Sequence, residues 1–130
     1  MDFLPAPDIH KQLCLITKKL DLNHIDPNRL VCFRSHGSTS RARARIWSLP
    51  TIWQQALKTG PAYCLEVLSE RFDKLKPDDQ ERVLIHELLH IPKTFSGALI
   101  PHRTHHHRSF RHYHDTVEKL YLSLNKKSYQ

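Results

Sequence analysis

The chain has 130 residues, the size of one compact domain, so a single domain over residues 1–130 is expected. Its 39% hydrophobic and 25% charged residues exclude a wholly disordered chain, and no apolar run approaches the length of a membrane span. A net charge of +7 requires either a solvated basic surface or an acidic partner, nucleic acid included.

The opening stretch MDFLPAPDIH has an early acid and two prolines and lacks the basic region of a secretory signal. Three widely spaced cysteines, Cys14, Cys32 and Cys64, are an odd number. They point to reduced thiols in a cytoplasmic protein rather than to a disulfide framework.

A first helix is expected after Pro7, with Asp8 as its N-cap. Ile9, Leu13, Ile16 and Leu20 form its apolar stripe. Asp26-Pro27-Asn28 breaks the chain, and Leu30 to Phe33 reads as a short strand. From Arg41 to Leu49 the alternation is strict. Arg41, Arg43, Arg45 and Trp47 fall on one side, with Ala42, Ala44, Ile46 and Ser48 on the other, so a second strand is expected, paired with the first as a hairpin.

Pro50 ends that strand, and Thr51 caps a short helix through Leu57. Tyr63 to Leu68 alternates again as a third strand, and Ser69 to Leu75 forms a turn or one-turn helix. Pro77 starts a helix with Asp78, Asp79 and Glu81 in its first turn, running to about Ile91, where Pro92 stops it. A last helix over roughly Ser109 to Asn125 presents Tyr113, Val117, Leu120, Tyr121 and Leu124. The expected class is α+β, with a short, mostly antiparallel sheet and flanking helices.

Within the third long helix, His86-Glu87-Leu88-Leu89-His90 spells H-E-x-x-H. Positions i and i+4 of a helix lie one above the other, so both imidazoles can reach one ion, while Glu87 on the adjoining face can hold a water. Zinc hydrolysis needs this division: neutral imidazoles as ligands, an open position, and a carboxylate to take a proton. Val83, Leu84, Ile85, Leu88, Leu89 and Ile91 surround the motif with apolar residues. A glutamate and two histidines on a buried helix need partners, and a metal ion is an economical one.

A catalytic zinc usually has three protein ligands. His102, twelve residues past His90 and beyond the turn at Ser96-Gly97, is the first choice. His105, His106, His107, His112 and His114 are rivals, with Asp115 and Glu118 if the last helix packs alongside.

The segment HELLHIPKTFSGALIPH, from His86 to His102, resembles the signature of an uncharacterised metallopeptidase-type family found in archaea, phages and bacteria. The resemblance extends over Cys32 to Leu57 and Ala62 to Leu75. It implies a minimal zincin-like domain with a zinc ion on His86, His90 and His102, and Glu87 as general base. The histidine-rich stretch after Arg103 departs from that pattern.

The activity expected is metal-dependent hydrolysis of a peptide or protein, the oxyanion being met by Tyr113, Arg103 or a histidine of the 105–107 run. Basic strands and aromatics also suit a metal-dependent nuclease, but small endoribonucleases of related fold carry a third histidine six residues after the second, where this chain has Ser96. A protease acting on DNA-bound proteins would use the same chemistry, with Arg41, Arg43 and Arg45 meeting nucleic acid. A zinc-stabilised binding module is disfavoured by Glu87, since a closed structural site needs no base.

Overall fold

The computed structural model describes residues 2–101 and 108–128, with side chains except at 108–113, 127 and 128. Four strands form one mixed sheet: β1 (Asp2–Pro5), β2 (Leu30–His36), β3 (Ala44–Ser48) and β4 (Tyr63–Leu68). Five helices accompany them among the described residues: α1 (Pro7–Lys19), α2 (Thr51–Ala56), α3 (Ser69–Phe72), α4 (Pro77–Leu88) and α5 (Arg108–Ser128). The architecture is α+β.

The strand order is β1-β2-β4-β3, with β2 parallel to β4 and both outer pairs antiparallel. The hairpin expected between β2 and β3 therefore does not form. β4 lies between them. Its residues are buried almost throughout, as a central strand requires, whereas β3 alternates Ala44 and Ile46 with Arg45 and Trp47 and suits an edge. β3 is also shorter than the alternation implied. Ser38 and Ser40 hydroxyls accept the amides of Ser40 and Ala42, at 3.1 Å each, and hold residues 38–42 in turns.

One sheet face carries the core. Leu30, Cys32, Ala44, Tyr63, Leu65 and Val67 pack with Ile9, Leu13 and Ile16 of α1, Leu84, Ile85 and Leu88 of α4, and Val117, Tyr121 and Leu124 of α5. The stripes expected for α1 and α5 supply these residues. α1 starts on Pro7 as its first helical residue, with Ala6 rather than Asp8 at the cap; Asp8 sits in the first turn, where its charge favours the helix dipole. α2 has Pro50 at its cap position, with no side-chain cap bond from Thr51.

The alternate residues of β2, β4 and β3 meet at a buried charge. Glu66, 1% exposed, accepts from Ser35 Oγ at 2.5 Å, Trp47 Nε1 at 2.9 Å and Arg45 Nε at 3.1 Å, so one carboxylate links three strands. Burial pushes its carboxyl up, but the bonds from Ser35, Trp47 and Arg45 outweigh burial and hold it below its ordinary value of 4.5. A depressed carboxyl stabilises the fold above its unfolded pKa, and that contribution fades as pH falls through the folded value. Glu66→Gln is expected to lower stability near neutral pH by about 1–3 kcal/mol and by much less near pH 3. Urea unfolding at both pH values checks this; an equal loss at both would contradict it.

Candidate metal centre

α4 is fully regular only to Leu88. The amides of Leu89, His90 and Ile91 then bond to carbonyls three residues back, at 3.1–3.2 Å, tightening the chain into a 3-10 turn. The helix thus closes three residues before the expected end at Ile91. Pro92 has no amide to extend it and disfavours helical backbone at the residue before.

His86 and His90 nonetheless remain on one side, their rings edge-to-face with centroids 5.1 Å apart. One ligand atom from each of His86, Glu87 and His90 lies within 4.8 Å of the others. Two imidazoles and a carboxylate, gathered at the negative end of α4, make a donor set that fits a divalent cation. Glu87 is 8% exposed, and burial pushes its carboxyl up to about 8.

His90 is buried and held by the chain that follows it. Its Nδ1 donates to the Ile100 carbonyl at 2.5 Å, and the Ile100 amide donates back to the His90 carbonyl at 2.7 Å. A carbonyl only accepts, so Nδ1 carries the proton and Nε2 presents the lone pair a metal requires.

Three side chains fasten the intervening loop. Gln54 Nε2 donates to the carbonyls of Leu49 at 2.8 Å and Ser96 at 3.1 Å. The Tyr63 hydroxyl accepts from the Gly97 amide and donates to the Ala98 carbonyl, both at 2.8 Å. Phe95 packs edge-on against the Tyr63 ring at 5.0 Å. Gly97 has φ +92°, and a Cβ there would collide with Gln54 Nε2 and stand 2.7 Å from the Leu49 carbonyl. Ser96, the position of the nuclease-type histidine, lies in this loop.

A cleft of about 590 Å³ opens beside the group, lined by His86 and Glu87 together with residues 41–44. α5 contributes His114, Val117 and Glu118 to its wall. α4 and α5 are clamped there by Arg82, which bonds Asp79 at 3.1 Å, faces Glu118 at 2.8 Å and lies 4.0 Å above the Tyr121 ring. Of the ligand candidates, His86 and His90 come together with Glu87, His114 and Glu118 line the adjoining cleft, and Asp115 is exposed. His102, Arg103, His105, His106 and His107 lie outside the described residues, as do the side chains of His112 and Tyr113.

The roles of Tyr63, Gln54 and the Ile100 carbonyl had no signal in sequence. The three-arginine face is also divided. Arg45 is bound to Glu66, while Arg41 and Arg43 precede the strand and line the cleft.

A family model described as "Putative phage metallopeptidase" matches residues 1–125. The chain belongs to this family. Membership accords with the convergence of His86, Glu87 and His90 and implies a metal-dependent peptidase. No curated protein and no solved structure matches the chain significantly. No helix among the described residues is long and apolar enough to cross a membrane, and all three cysteines are free thiols.

The loop's dependence on Gly97 is measurable. Gly97→Ala is expected to cost about 1–3 kcal/mol, through strain at positive φ and displacement of Gln54. Gly60→Ala, whose Cβ would meet nothing nearer than 3.9 Å, should stay within about 0.5 kcal/mol. Equal effects in urea unfolding would contradict the loop's role.

Proposed function

We propose that the chain is a zinc-dependent peptidase of zincin-like fold, in which His86, His90 and His102 hold the ion and Glu87 is the general base. The observation that carries this reading is the convergence of His86, Glu87 and His90 within 4.8 Å, with His86 and Glu87 lining a cleft of about 590 Å³. His102 is included because Ile100 is bonded to His90 through both its amide and its carbonyl, which returns the chain to the site two residues earlier. Three imidazoles and an open position match hydrolytic zinc. Edge strand β3, antiparallel to β4 and packed beside α4, supports the zincin-like comparison and offers a rail for an extended substrate.

When bound, the ion supplies Lewis acidity to a water and to the scissile carbonyl. Glu87 accepts the water's proton on a carboxylate oxygen as the water attacks, then delivers it to the amine as the C–N bond breaks. Burial favours the neutral carboxyl, and the ionised form that a base needs would be favoured by a cation held on His86 and His90. The bond to Ile100 fixes the ring orientation and tautomer of His90, so neither has to be selected when the ion binds. His114, on the α5 wall, offers an N–H to the carbonyl oxygen as it gains charge. The free thiols suit a cytoplasmic setting.

Glu87→Gln tests this directly. The variant should retain its zinc while casein hydrolysis falls by about a thousandfold, whereas His90→Ala should lose the metal. Metal analysis beside a casein assay reads both, and undiminished hydrolysis in Glu87→Gln would overturn the assignment.

A further inference from the structure

The charges around the cleft fall into two groups. Arg82 is shared between Asp79 and Glu118 and is further occupied by the Tyr121 ring, so this cation is committed and one carboxylate charge of the cluster is left uncompensated. Glu87 belongs to the reaction centre. Arg41 and Arg43 are different: both are exposed, both line the cleft, and neither has an ion-pair partner among the described residues. The next arginine in the alternation, Arg45, is spent on Glu66 and lies 5.7 Å from the centre of the Trp47 ring.

Arg41 and Arg43 also stand on the approach to the reaction centre. The Arg43 carbonyl accepts the Leu68 amide at 3.0 Å, which fastens this segment to β4 just before edge strand β3 begins. Residues 41–44 and His86 with Glu87 line the same cleft, so a chain lying in it can meet both guanidinium groups and the reaction centre.

We propose that Arg41 and Arg43 are specificity residues that bind a substrate carboxylate beside the scissile bond. This rests on the metallopeptidase reading above and gives it a substrate class. The planar guanidinium matches a carboxylate bidentately, and partial enclosure in a cleft screens the pair less than an open surface does. The carboxylate has two sources, an Asp or Glu side chain within the substrate or the substrate's own C-terminus. Nucleic acid is the weaker partner on these observations. Two guanidinium groups at a cleft, with Arg45 already paired, do not form the extended basic stripe that tracks a phosphate backbone.

The test uses the zinc-loaded full chain and internally quenched peptides of one length, with Ala, Asp, Glu or Lys at the central positions. All are N-acetylated, and each is made with an amidated and with a free C-terminus. kcat/KM is expected to be about tenfold higher for Asp or Glu peptides than for Lys peptides, or for free-acid than for amidated ones, and to shrink with added salt. The double charge reversal R41E/R43E should collapse or invert that ratio. The first comparison identifies a side-chain carboxylate, the second a terminal one.

Cleavage by the parent protein with no carboxylate preference, or a preference unchanged in R41E/R43E, would overturn the proposal and leave the peptidase reading intact. Absence of any cleavage counts against the peptidase reading instead. Carboxylate recognition is then read from anisotropy of the same peptides, labelled, on zinc-loaded Glu87→Gln, where equal binding of Asp and Lys peptides overturns it. Displacement of a labelled Asp peptide by an oligothymidylate at lower concentration than by unlabelled Asp peptide would also overturn it, in favour of nucleic acid.

Discussion

The site depends on how His90 is held. A histidine just past the last regular turn of a helix, with a proline two residues on, would ordinarily have little to fix its ring. Here Ile100 closes on it twice, amide to backbone carbonyl and carbonyl to ring nitrogen. That pair fixes the ring, chooses its tautomer and brings the chain back beside α4. Tyr63 and Gln54 hold the loop from the sheet side and from α2, so the imidazole is anchored through the sheet as well as through its own helix.

Burying Glu87 is costly, and the fold accommodates it by placing it among groups that are themselves committed. Leu84, Ile85 and Leu88 fix α4 in the core, and Arg82 locks α4 to α5 on the cleft side. Burial raises the Glu87 carboxyl to about 8 and so favours its neutral form, and a cation held on the neighbouring imidazoles would favour the ionised one. Glu66 shows the alternative. Also buried, it gathers an arginine, an indole and a hydroxyl, stays ionised, and serves to link strands.

Much of this was legible in the residue pattern, for physical reasons. H-E-x-x-H announces itself because helical periodicity alone puts His86 and His90 together. The stripes of α1 and α5 are read the same way, and α2, α3 and β4 fall where turn residues and alternation place them. Strand order was not legible, because β2 and β3 are separated in the sheet by a strand that comes later in sequence. β1 escaped for a related reason: its four exposed residues have no periodic signature, and only pairing with residues 33–36 makes them a strand. The evenly spaced arginines gave one pattern for two chemistries, since only the partner, Glu66 or the open cleft, tells Arg45 from Arg41 and Arg43. The orienting group of His90 is a backbone carbonyl, which no side-chain identity encodes.

The central claim is that His86 and His90 present imidazole nitrogens to one divalent ion at the end of α4. Titrating metal-free protein with Co²⁺ and recording the visible spectrum tests it most directly. The account predicts saturation at about one equivalent, with the intense bands of a four-coordinate, nitrogen-ligated site. Zn²⁺ should displace those bands, and His86→Ala should lack them. Weak, non-saturating absorption, or an unchanged spectrum in His86→Ala, would contradict it.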